Sequence, residues 1–83
     1  MKQRRLAVLA AALLHRKNYD KARAVFMMDT TYDILTNDIK LYSARIENNP
    51  SNKVYWDRLG RAEKDLEMLK IQIYELEKTV HLQ

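Results

Sequence analysis

Residues 59–80 read LGRAEKDLEMLKIQIYELEKTV, with apolar side chains at Leu59, Ala62, Leu66, Leu69, Ile73, Leu76 and Val80. The steps alternate three and four residues without a slip. That period returns one face of an α-helix every two turns, so the stretch presents a continuous apolar seam that has to be buried against other helices. Further back, Met28, Tyr32, Leu35, Ile39, Tyr42 and Ile46 step four, three, four, three, four and form a second seam. Between the two lies Asn48-Asn49-Pro50-Ser51-Asn52, the one clear turn in the chain. Pro50 has no N–H and biases Asn49 away from helix, so the earlier helix stops there.

A connection this short between two helices folds them back antiparallel, with the seams facing each other as a coiled-coil-like hairpin. Thr30 followed by Asp33 resembles a capping box, which places the first arm over 30–48. Ser51 or Asn52 as N-cap opens the second arm, over 52–81. Gly60 inside that arm costs ~1 kcal/mol relative to Ala. It is expected to mark the close approach of another helix beside the bulky Trp56.

The remaining segment, 1–28, also has helical spacing, at Leu6, Leu9, Leu13, Tyr19, Ala22 and Phe26, with alanines at 7 and 10–12. Asn18 is a ready N-cap, and Asp20 would sit well in the first turn that follows it. The segment is therefore one helix or two, bent at Lys17–Asn18. No Gly or Pro decides between these. The whole chain reads as a single all-α domain, 1–83: a basic N-terminal helix or helix pair, then the hairpin.

At 83 residues a monomer buries a limited share of its surface. There is no Cys for a disulfide and only two His for a structural metal, which leaves long packed helices or oligomerisation as the means of stabilisation. One Gly and one Pro are too few for the turns of a sheet protein. The charge is uneven. Residues 1–28 carry a net +6 and the rest a net −2. Met1–Arg5 followed by Leu6–Leu14 has the outline of a signal peptide, but charges resume at His15-Arg16-Lys17 with no small-residue cleavage site. The apolar run is far short of the ~20 residues of a membrane span. A cytoplasmic protein with no membrane contact is the expectation.

The chemistry of catalysis has little to stand on. No Cys is present, Ser43 and Ser51 are the only serines, and Ser51 belongs to the turn. A single Gly cannot build a phosphate-cradling loop. The carboxylates Glu63, Asp65 and Glu67 alternate with Arg61, Lys64 and Lys70, as on a solvated helix face. Neither an enzyme, nor a cofactor, nor a metal site is expected.

Two local patterns resemble the helix pairs of tetratricopeptide repeats. One is Leu6, Leu9, Ala10, Leu13, Tyr19, Ala22 and Phe26 (residues 6–26). The other is the junction 49–60, with Asn49-Pro50 ahead of Trp56, Leu59 and Gly60. Together they cover about half the chain. Ile34 stands where the repeat would place its Pro, and the last arm runs through the position of the second turn. What the resemblance implies is peptide or protein binding by helix faces.

The seams leave apolar residues over. Met68, Ile71 and Tyr74 form a further line on the last arm, and Met27, Ile34 and Leu41 on the middle one. A two-helix hairpin leaves both in water. The N-terminal helix is expected to cover one, and the other to meet a second copy, a dimer by default, or another protein. The expected role is a non-enzymatic interaction module, such as an adaptor, co-chaperone or small inhibitor of a regulatory protein. Trp56, Met68, Ile71 and Tyr74 would be its contact residues. The alternative is a nucleic-acid-binding protein using Arg4, Arg5, Arg16, Lys17 and Arg23 on the N-terminal segment.

Overall fold

The backbone of Lys17 settles the question of one helix or two. In the computed structural model, which describes residues 3–80, Lys17 takes a left-handed φ of 58°. The N–H of Lys17 bonds to the carbonyl of Leu14 at 3.0 Å, and that of Asn18 to Leu13 at 2.9 Å. These two bonds satisfy the last carbonyls of a helix by reversing the chain direction, the Schellman closure. The first helix, α1, is Arg4–His15. Asn18 then caps the second, its side chain accepting from the N–H of Lys21 at 3.4 Å, with Asp20 in the first turn. Lysine in the left-handed region is strained where glycine is not. Lys17→Gly is expected to raise stability by about 1 kcal/mol, read as a higher midpoint in urea unfolding.

The second helix, α2, runs unbroken over Tyr19–Asn48. No helix starts at Thr30, contrary to the capping-box reading. Nothing between Tyr19 and Asn48 breaks a helix, and the threonines turn their hydroxyls back onto the preceding turn. Thr30 Oγ1 donates to the carbonyl of Phe26 at 3.3 Å, and Thr31 Oγ1 to that of Met27 at 2.9 Å. Asn49, Pro50, Ser51 and Asn52 make the turn, and the Asn52 side chain accepts from the N–H of Val54 at 3.0 Å. The third helix, α3, is Lys53–Val80. The expected helical ends at Lys2 and His81 lie outside the described residues.

Helices α2 and α3 pack lengthwise as the hairpin, and the whole measures 51 × 21 × 19 Å. Both seams point inward. Ile46, Ala62, Leu69, Ile73 and Val80 are buried and the other seam residues are partly so. α1 is shorter than either arm and lies chiefly on the N-terminal half of α2, with a lighter contact to α3. It buries Leu6, Leu9, Ala10 and Leu13 against Ala22, Val25, Leu69, Ile73 and Val80. The core thus sits at the open end of the hairpin, away from the turn. Two polar contacts hold α1 in register. Its N-terminal turn donates from Gln3 N–H to Asp29 Oδ1 at 3.2 Å, where a carboxylate also meets the positive end of the helix dipole. Arg5 Nε lies 2.6 Å and 2.8 Å from the two carboxylate oxygens of Glu77.

Gly60 has no neighbour. A Cβ built there would meet nothing within 4 Å, so no helix approaches it and the close-approach explanation does not hold. Without a packing reason, only the conformational cost of glycine remains. Gly60→Ala is expected to add about 1 kcal/mol and raise the thermal midpoint by about 4–8 °C, measured by circular dichroism.

Candidate protein-interaction surface

α1 covers neither leftover apolar line. Met68, Ile71 and Tyr74 stay about half exposed, and Met27, Ile34 and Leu41 are exposed as well. The reason is the register of α2. The residues that meet α1, Ala22 and Val25, lie on the flank of α2 away from Met27 and Ile34. Tyr19 and Phe26, read above as part of the N-terminal apolar spacing, are exposed too, and so are Val8 and Leu14 on the outer side of α1. Met28 lies partly buried beside the core while its neighbour Met27 is the most exposed large apolar residue on α2.

Met68, Ile71 and Tyr74 do not form one stripe. A step of three residues falls 60° short of a full turn, so the series winds about 120° round α3 from Met68 to Tyr74. Met68 and Ile71 open onto a groove between α2 and α3, on the face without α1. Its middle is lined by Thr31, Leu35, Asp65, Met68, Leu69 and Gln72. Toward the open end Ala24, Met28, Ile71 and Leu76 continue it past Gln72. Toward the turn it runs on from Leu35 and Asp65 to Tyr42, Val54 and Arg61. No α1 residue contributes. From Lys21 to Tyr42 the groove follows about 30 Å of α2. Floor and walls are mostly apolar at the open end and charged toward the turn, where Asp38, Asp57 and Asp65 alternate with Arg58 and Arg61.

Tyr74 belongs elsewhere. Its ring lies under the Lys78 ammonium, 4.7 Å from Nζ to the ring centroid, outside the groove lining. Trp56 is half exposed and donates from Nε1 to the carbonyl of Pro50 at 2.8 Å, which ties it to the turn. It stands about 18 Å along α3 from Met68. Beside it, Tyr42 and Tyr55 pack with ring centroids 6.2 Å apart, and the Arg45 guanidinium lies over both, at 5.8 Å and 5.6 Å. Of the four contact residues read from sequence, then, two share the groove. Of the groove's α2 wall, the sequence picks out Leu35, as a seam residue, but not Ala24 or Thr31 beside it. Their only signal is a run of small side chains between the seam and the Met27 line.

The basic residues divide into two groups. Arg4 and Arg5 open α1, while Arg16, Lys17 and Arg23 flank its far end, about 16 Å away along the helix. All are exposed, and Arg5 is engaged by Glu77. Among the described residues no cluster of three His, Cys, Asp or Glu could hold a metal ion, and no helix is long and apolar enough to cross a membrane. Comparison with protein-family models, curated proteins and solved structures found no match to this chain.

Proposed function

We propose that the chain is a non-enzymatic interaction module that receives an amphipathic helix of a partner protein in the groove between α2 and α3. The observation that carries the reading is the groove itself, open along one whole face of the hairpin with Met68 and Ile71 at its edge. A helix laid there would stand opposite α1 and complete the covering of the hairpin, the helix-in-groove mode of recognition. Apolar strips of this extent on a small protein mark contact surfaces. The adaptor, co-chaperone and inhibitor roles all use such a surface, and a cytoplasmic setting fits a chain without cysteine.

The test compares the chain with Met68→Asp and Ile71→Asp in affinity capture from its host, with the mass and stoichiometry of the recovered complex measured. Loss of one stoichiometric partner by both variants, with helicity unchanged, is the expected result. Equal recovery by both sinks the assignment. Nucleic acid is the second reading, supported by the exposed cations Arg16, Lys17 and Arg23 around the α1–α2 turn. It predicts oligonucleotide binding that falls steeply with salt and disappears on charge reversal at Arg16 and Lys17.

A further inference from the structure

The two polar contacts at the start of α1 also decide which side of it turns outward. Gln3 N–H reaches Asp29 on α2, and Arg5 reaches Glu77 on α3. The flank of α1 that carries Gln3 therefore faces α2, and the flank that carries Arg5 faces α3. On the side of the α1–α2 pair away from α3, α1 then shows Arg4, Ala7, Ala11 and Leu14, and α2 shows Tyr19, Arg23, Phe26 and Thr30. Two antiparallel helices side by side make this one flat face, about 18 Å long and roughly 20 Å wide. Leu14, Tyr19 and Phe26 are 43%, 62% and 45% exposed on it. Its permanent charges are Arg4 and Arg23, both exposed, with Arg16 and Lys17 at the turn that closes one end.

Among the described residues no carboxylate belongs to this face. Asp20 lies about 100° round α2 from Tyr19. Asp29 is turned under α1, where it accepts from Gln3. Asp33 lies a further turn along α2, past the start of α1. The Thr30 hydroxyl is already taken by the carbonyl of Phe26, so burying it strands no polar atom.

We propose that this face rests on a lipid bilayer containing anionic phospholipid. Exposed apolar and aromatic side chains, ringed by cations and free of carboxylates, match the boundary between headgroups and acyl chains. The phosphates attract Arg4, Arg23, Arg16 and Lys17, and the layer beneath accepts Leu14, Tyr19 and Phe26. A nucleic acid would use the same cations, but its phosphate backbone offers nothing apolar to Leu14 and Phe26. The expectation of no membrane contact rests on the lack of a spanning segment, which a surface contact does not require. The groove wall at Ala24, Thr31 and Leu35 lies more than about 100° round α2 from this face, so the groove stays open while the face is occupied.

Co-sedimentation with vesicles is the test. The chain is expected to pellet with phosphatidylcholine vesicles carrying about one-third phosphatidylserine, and to stay in solution with phosphatidylcholine alone. Arg23→Gln is expected to weaken the affinity about fivefold, the worth of one cation at such a surface. Phe26→Asn and Tyr19→Asn are each expected to weaken it about tenfold with helicity unchanged. Met27→Asn, next to Phe26 but about 100° round the helix, is expected to keep full affinity. Equal pelleting with and without phosphatidylserine overturns the proposal, as does a Phe26→Asn variant that binds as tightly as Met27→Asn. Pelleting with neither vesicle overturns it too, and capture of a single-stranded oligonucleotide in that case returns the cations to the nucleic-acid reading.

Discussion

Leu9→Ala is expected to cost about 3 kcal/mol, and the equally buried Leu6 and Leu13 should behave alike. Leu9 is fully buried in the cluster that joins α1 to both arms of the hairpin. Removing its branched end deletes transfer energy and leaves a cavity, and such changes cost about 2–5 kcal/mol. A chain of this length has a total stability on the order of 4–12 kcal/mol, so the loss is a large fraction of it. The control is Leu14→Ala, five positions on and facing solvent, which should stay within about 0.5 kcal/mol. Urea unfolding followed by circular dichroism measures both. Equal shifts for Leu9→Ala and Leu14→Ala would mean that α1 is not docked by the face described.

The second large effect lies on α3, in two isoleucines only two positions apart. Ile73→Asp is expected to abolish the cooperative fold, while Ile71→Asp leaves it intact. Ile73 is buried in the core cluster, and a carboxylate placed there gives up its hydration and the apolar packing against Leu6 and Leu69, although Arg5 and Lys70 line the adjoining cavity. Burying a charge in this way costs several kcal/mol that a nearby cation repays only in part, and the loss is comparable to everything that holds the domain together. Ile71 is half exposed at the groove edge and its replacement by Asp meets water. The pair reads the register of α3 directly. If both variants unfold, or neither does, the seam is misplaced by one side chain and the groove with it.

The hairpin was legible because its information is periodic and local. Two unbroken seams and one Asn-Pro turn leave a single way to fold residues 28–80. The helix boundary near Thr30 was misread because a threonine followed by an aspartate serves a cap and a helix interior equally well. Only the continuity of the backbone from Tyr19 decides which. The break at Lys17 had no glycine to announce it, since a lysine accepts the strained turn there. The exposed face was harder to read for another reason. Which apolar residues α1 covers depends on the angle at which it leaves Lys17, and no spacing encodes that angle. Hence Met68 and Ile71 fall together in the groove while Tyr74, an equal member of the same series, turns out of it.

The hydrogen bond between Trp56 and Pro50 has a practical consequence. Trp56 is the only tryptophan in the chain, so its fluorescence reports the turn end alone. The fully buried leucines all lie at the opposite end, on α1. Local stability follows buried apolar contact, so the emission of Trp56 should change at a lower denaturant concentration than the loss of far-ultraviolet ellipticity. The closed end of the hairpin therefore loosens before the open end does, and one fluorophore sits where that first loosening occurs.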